Sequence, residues 1–265
     1  MKNNSSKVIH KEFQNNHLIE IRDTTTQRTL YFDSRHLQSA MSFLHPQELI
    51  LSYTRYMLLG LLIIEQPKNI LIIGLGSGSF VRFFHHYYPT SHIAGVDYSQ
   101  HVINLAKEYF YLPEADSIKV ICADGDEFIK RPNNKKYDLI LVDAFDDQGM
   151  APSIYTESFF TSVSKLLADD GSISFNLWSS DKKTFSGIKK TLANTFNGCL
   201  FLPVPDRGNV IAVTMNQEIP WHKIDASLKE TKALSTRLEL DFKQLIRVTK
   251  QNNGALKGLL KSLFR

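Results

Sequence analysis

The loop Asp143-Ala144-Phe145-Asp146-Asp147-Gln148-Gly149 follows directly on the apolar run Leu139-Ile140-Leu141-Val142. Three carboxylates so close together repel one another, and a purely structural loop gains nothing from that repulsion. Two readings stand side by side: a solvated acidic turn, or a site that attracts a cation and takes a proton from it. The second has definite chemistry. An amine with a pKa of about 10 is protonated at neutral pH and cannot attack carbon until a base removes its proton. Asp143, closing the run, is placed to be that base, and Asp146 to bind the cation.

A second group of residues lies upstream. The apolar run Ile70–Ile73 leads into Gly74-Leu75-Gly76-Ser77-Gly78-Ser79 and then into a helical pattern. Glycines allow a tight turn and let a ligand approach the backbone, and the following helix offers free N–H groups. Tight packing without a ligand is the plain alternative. With Ser79 in place of a glycine, the spacing departs from the G-x-G-x-x-G of dinucleotide enzymes. Asp97 ends the next run, about 20 residues on, where a carboxylate can accept from both ribose hydroxyls. The third run, Ile118–Cys122, ends at Ala123-Asp124-Gly125, and that carboxylate can accept from an adenine amine. Taken singly, Asp97 or Asp124 is equally a helix N-cap. Together with the glycine turn, at successive strand tips, they point to an adenosine-containing donor.

The elements that must position these residues follow from periodicity. Strands are expected at Ile70–Ile73, His92–Val96, Ile118–Cys122, Leu139–Val142 and Ser172–Leu177, with helices at Phe80–Tyr87, His101–Tyr111, Glu127–Lys130, Thr156–Leu167 and Lys183–Phe196. Such alternation predicts an α/β fold, a doubly wound, mostly parallel sheet with helices on both faces. The runs Cys199–Leu202 and Val210–Thr214 are joined by a linker too short for a crossover, so they pair antiparallel. At the N-terminus, His17–Arg22 and Thr29–Phe32 read as a hairpin, Asp33 to Pro46 as connecting loop, and Gln47–Ile64 as a helix closed by Pro67. The division expected is an N-terminal β-hairpin region (1–46), a Rossmann-like nucleoside-binding catalytic domain (47–236) and a basic helical tail (237–265). In that tail Leu256, Leu259, Leu260 and Leu263 share one face, which suits packing on the protein itself or at a dimer contact.

Composition narrows the classes. With 265 residues and 43% hydrophobic content the chain can bury a full core. Its net charge of +4 is spread along the sequence, which argues against nucleic acid as a partner. The apolar run Met57–Ile64 is shorter than the roughly 20 residues of a membrane span, and Met1–Lys11 has no apolar signal core, so a cytoplasmic protein is expected. Cys122 and Cys199 lack metal-ligand spacing and fit a reduced interior. His85, His86 and His92 read as surface histidines, and no metal is expected.

From Leu71 to about Leu167 the chain resembles the spermidine synthase family, whose pattern is strand, G-G-G-D-G-G, E-I-D, D-G and D-S-S-D-P-x-G. The matching places here are Gly74–Ser79, Asp97-Tyr98-Ser99, Asp124-Gly125 and Asp143–Gly149. Asp33 to Gln38 resembles the family's D-G-x-x-Q stretch, and Tyr53 stands where the family has a tyrosine before the first strand of the main sheet. The resemblance implies a class I methyltransferase-like Rossmann fold and a homo-oligomer. It also implies transfer of the aminopropyl group of decarboxylated S-adenosylmethionine to a small-molecule amine such as putrescine. Carried over, Asp143 is the proton acceptor and Asp146 an amine ligand. Asp97 binds ribose and Asp124 with Gly125 the adenine. Gly74, Gly76, Ser77, Gly78 and Gln38 complete the donor site, and Tyr53 joins the acceptor site. Two departures subtract negative charge: Ser77 replaces the family's Asp, and Thr54-Arg55 follow Tyr53 in place of Gln or His and then Glu. They leave a second reading, a methyltransferase using intact S-adenosylmethionine. Against it, Ile72 stands where typical methyltransferases carry an acid.

Overall fold

The computed structural model describes residues 6–14, 17–34, 36–132, 135–146, 149–205, 207–225 and 228–253. It begins with an antiparallel four-stranded sheet, β1 (Lys7–Gln14), β2 (His17–Asp23), β3 (Gln27–Phe32) and β4 (His36–Ser42), in the order β1-β2-β3-β4. The expected hairpin is its centre. The stretch read as loop from Asp33 contains strand β4, and β1 was also not foreseen. Neither shows the usual alternation, β1 because it is a charged edge strand and β4 because it carries Gln38 and Ser39.

The expected helix over Gln47–Ile64 is shorter and changes type. Helix α1 (Ser52–Tyr56) passes into a 3₁₀ segment, Met57–Leu62, buried at every position. An all-buried run has no polar face from which a sequence reading could tell one helical form from the other.

The main domain follows the alternating pattern: β5 (Asn69–Ile73), α2 (Ser79–Tyr87), β6 (His92–Asp97), α3 (Gln100–Tyr109), β7 (Ile118–Cys122), α4 (Gly125–Lys130) and β8 (Tyr137–Val142). A two-residue pair, β9 (Phe145–Asp146) and β10 (Gly149–Met150), precedes α5 (Glu157–Ser164), β11 (Leu167–Trp178), α6 (Lys182–Thr195), β12 (Gly198–Pro203) and β13 (Asn209–Met215). The helix expected to reach Leu167 stops at Ser164, because Leu167 already pairs with Tyr137 on β8. Three helices close the described chain: α7 (Trp221–Ile224), α8 (Leu228–Leu238) and α9 (Phe242–Asn253).

The sheet order is β12-β13-β11-β8-β5-β6-β7. The strands β11, β8, β5, β6 and β7 are parallel, and β13 runs antiparallel to both β11 and β12, as expected. Alternate residues of each strand feed two cores. Ile70, Ile72, Leu139 and Leu141 pack on one face, and Leu71, Ile73, Ile140 and Val142 on the other. Leu238, Leu240, Phe242, Leu245 and Val248 join the first core, so α9 packs on the main domain, where Asn253 exchanges two hydrogen bonds with the Phe201 backbone. The leucine face at 256–263 lies outside the described residues.

Register fixes the site. Ile73 pairs with Val96 and Val142, and Asp97 with Cys122, so the parallel strands end together. Their carboxyl tips lie on one edge, and the strand order reverses between β5 and β8. Doubly wound sheets bind ligands at such a place.

Candidate active site

The glycine turn and the acidic loop meet at that edge. Gly74 donates its N–H to Val96 O at 2.9 Å, and Asp143 donates to Ile73 O at 2.8 Å. Gly74 has φ of 90°, and a β-carbon there would lie 2.0 Å from Asp143 O. Only glycine lets the tips of β5 and β8 come this close. A cavity of about 680 Å³ opens over them, lined among others by Gly74, Gly76, Asp97, Asp124, Gly125 and Asp143, with Gln38 and Asp33 from the N-terminal sheet.

Asp97 is 8% exposed. One carboxylate oxygen accepts from Leu75 N–H at 2.9 Å and Gly76 N–H at 3.4 Å, and the other from Ser99 N–H at 2.9 Å. Burial raises its pKa, and these three N–H groups oppose the rise. Asp97 therefore braces the glycine turn from inside the cleft. It is not the cap of α3, a role that Ser99 takes by accepting from Val102 N–H. Asp124 is a cap: it accepts from Asp126 and Glu127 N–H at 2.8 and 3.0 Å, while also lining the cavity.

At the β8 tip, Asp143 is held on both sides. The Tyr53 hydroxyl donates to Oδ2 at 3.0 Å and the Asn176 amide to Oδ1 at 2.8 Å. Asn209 donates to Asn176 Oδ1 at 2.9 Å, and the Tyr155 hydroxyl to Asn176 O at 2.8 Å. Burial raises the Asp143 pKa, opposed by the bonds from Asn176 and Tyr53. Tyr53 and Tyr155 are pushed well above the ordinary phenol value, by burial and then by the Asp143 charge, so both remain donors. Asn176, Asn209 and Tyr155 were not found from sequence. Their signal was an amide within the otherwise apolar end of a strand, Phe175-Asn176-Leu177, where a polar group must have a partner.

Several expected residues lie elsewhere. Ser77 is buried, takes its N–H to Ser39 Oγ at 3.2 Å, and has its hydroxyl 3.3 Å from Ser79 Oγ; neither it nor Gly78 lines the cavity. Arg55 turns away, donates to Leu49 O and Ile50 O at 2.6 and 3.0 Å, and does not line the cavity. Asp146 lies on β9, and its side chain, like Asp147 and Gln148, lies outside the described residues. Among the described residues, no group of three His, Cys, Asp or Glu is placed to hold a metal.

This arrangement can hold a nucleoside along the tips of β5, β6 and β7 and present a carboxylate base beside it. A family profile described as the spermine/spermidine synthase domain matches residues 50–206. A polyamine aminopropyltransferase of Chromobacterium violaceum is 36% identical over 244 residues, covering 91% of this chain and 93% of that protein. A probable spermidine synthase from Corynebacterium glutamicum superposes with a TM-score of 0.72 at 20% identity, over 88% of this chain and 86% of that one. Human methyltransferase-like protein 13, solved with SAH, shares the fold at a TM-score of 0.61 and 24% identity, over 74% of this chain and 93% of that one.

Proposed function

The chain belongs to the spermine/spermidine synthase family, and from that premise we propose how its cleft performs aminopropyl transfer. The donor is decarboxylated S-adenosylmethionine and the acceptor a small-molecule amine. Asp97 takes the ribose hydroxyls and Asp124 the adenine amine, while Gly74 and Gly76 let the nucleoside lie against the backbone. The acceptor nitrogen sits by Asp143. Its ammonium gives a proton to the Asp143 carboxylate, and the freed lone pair attacks the aminopropyl carbon bonded to sulfur. As the N–C bond forms, the C–S bond breaks and its electrons neutralise the sulfonium, releasing methylthioadenosine. A carboxylate whose pKa is raised by burial is a stronger base than one in water, which suits an amine proton.

The observation that carries this reading is the bracing of Asp143. Tyr53 and Asn176 hold both of its oxygens at the tip of β8, directly behind the glycine turn. Binding a nucleoside needs no such base.

A second reading is methyl transfer from intact S-adenosylmethionine. The segment Gly74–Ser79 contains no acid to hold the ammonium of the decarboxylated donor, and the Arg82 guanidinium bonds to Ser77 O behind it. Product identity separates the two. Mass spectrometry of a turnover mixture with each donor is expected to find methylthioadenosine from the decarboxylated one. S-adenosylhomocysteine from the intact donor, without methylthioadenosine, would sink aminopropyl transfer.

A further inference from the structure

A second group of titratable side chains lies outside the cleft, where the N-terminal sheet meets α3. His10 and Glu12 stand on one face of β1, in register with Ile21 and Ile19 of β2. His101 and Tyr109 belong to the first and last turns of α3, on the face that carries Leu105 into the core shared with those isoleucines.

Glu12 joins the two elements. Its Oε1 is bonded to His101 Nε2, and His10 Nε2 lies 3.0 Å from the same oxygen. The other nitrogen of His10 lies 3.2 Å from the Tyr109 hydroxyl, with the two rings 5.1 Å apart. The carboxylate is 30% exposed and the imidazoles of His10 and His101 are 23% and 22% exposed, so solvent screens these contacts only in part. Burial works to raise the Glu12 pKa, but the bonds and charges of His10 and His101 bring it below the usual glutamate value. The other charged groups around the bridge have partners of their own. Glu108 bonds the Tyr109 hydroxyl, Arg28 of β3 lies 5.9 Å from the Tyr109 ring and is paired with Asp23, and Lys11 is paired with Glu20 on the opposite face of β1. The His17 side chain, on β2, lies outside the described residues.

What the bridge holds leads to the donor site. The first turn of α3, which carries His101, is capped by Ser99. Ser99 N–H donates to one oxygen of Asp97, and the other accepts from Leu75 and Gly76 in the glycine turn. Val102, next to His101, lines the cavity. A shift of this helical turn therefore displaces Asp97 and the glycine turn together, whereas Asp143 is braced by Tyr53 and Asn176. Resting on the reading that a nucleoside donor lies along these strand tips, we propose that Glu12 is a positioning residue for the donor: by tying β1 to the first turn of α3, it holds Asp97 and the glycine turn in the binding geometry. The grip varies with pH, because imidazoles are the side chains that change charge between about pH 5 and 8. An imidazolium is the stronger partner for a carboxylate, so the bridge is tightest on the acid side of that range and loosens as pH rises through it. Glu12 itself stays ionised there, and its contribution is lost only as pH falls through its lowered pKa.

The test is calorimetric titration with methylthioadenosine between about pH 6 and about pH 8.5, comparing the wild-type protein with E12Q, E12D and H101Q. Affinities are read as ratios to wild type, so that titration of Asp97, common to all four proteins, cancels. E12Q and H101Q are expected to bind about three- to fivefold more weakly than wild type at the acid end, as for one partly screened charge pair, with the gap closing toward the alkaline end. E12D keeps the charge and should keep the wild-type slope with pH. In turnover, the loss should fall on KM for the decarboxylated donor, with kcat within about twofold of wild type. A ratio of one at every pH, together with a lowered Tm, would mean that Glu12 only supports the sheet and overturns the proposal. A gap of the same size at both ends of the pH range overturns it too, since the imidazole charges would then have no part. Absence of methylthioadenosine binding in the wild-type protein overturns the nucleoside reading itself.

Discussion

In the proposed mechanism a single carboxylate carries the chemistry, and its surroundings tell how it should behave. Replacing Asp143 with Asn keeps the size of the side chain and removes the base. Turnover is expected to fall by about 10²- to 10⁴-fold, the usual worth of a general base, with methylthioadenosine affinity by calorimetry largely unchanged. As the proposed base, Asp143 acts ionised, so the rate is expected to decline as pH drops through its raised pKa. The Asn176 amide counters part of that rise by donating to Oδ1. Asn176→Leu removes the donor, so the acid limb of the pH–rate profile should shift to higher pH. A limb that stays in place while Tm falls would reduce Asn176 to a packing role. Of these residues, Asp143 was legible because a carboxylate after an apolar strand is conspicuous. Its amide and phenol partners lie 33 and 90 residues away in sequence, and no local pattern joins them to it.

At the scale of elements, what was legible followed burial. The strands Ile70–Ile73 and Ile118–Cys122 were visible as short apolar runs between turn signals, and the structure has β5 one residue longer and β7 at the same bounds. Strands β1 and β4 were hidden, because an exposed edge strand and a cleft-facing strand both lack apolar alternation. The glycine turn was legible as a motif, but its direct contact with the β8 tip was not, since that depends on parallel register. Two glycine substitutions test that contact. Gly74→Ala must adopt a left-handed φ and place a β-carbon against Asp143 O, so a stability loss of about 2–4 kcal/mol is expected, with loss of nucleoside binding. Gly187→Ala, on α6 with nothing within 4 Å of its β-carbon, should instead stabilise by about 0.5–1 kcal/mol. Denaturant titration reads both. Equal effects in the same direction would mean that the β5–β8 approach does not constrain the turn.

The whole molecule works only if the N-terminal sheet stays on the main domain, because Gln38 and Asp33 reach the cleft from it. Sequence could propose the central hairpin of that sheet but not its docking, which rests on a few residues far apart in the chain. Leu105, within α3, and Phe110, just beyond its end, share a core with Ile19, Ile21, Leu30 and Met41. Arg28 donates to Tyr109 O at 2.6 Å, and the Ser39 hydroxyl accepts from Ser77 N–H in the glycine turn. Arg82 completes the joint. Its guanidinium donates to Ser77 O at 2.5 Å, Phe110 O at 2.7 Å and Pro46 O at 2.8 Å, and burial lowers its pKa to about 10, which leaves it charged at neutral pH. The sheet, the end of α3 and the donor turn are thus one mechanical unit, and loosening Phe110 should be felt at the nucleoside. Phe110→Ala empties a fully buried position and is expected to cost about 3–5 kcal/mol. If the loss is local, amides of β4 will exchange faster while those of β5 keep their protection, and methylthioadenosine will bind more weakly because part of its affinity closes the sheet over the cleft. Uniformly faster exchange with unchanged affinity would show instead that Phe110 supports the core in general and that the sheet takes no part in holding the donor.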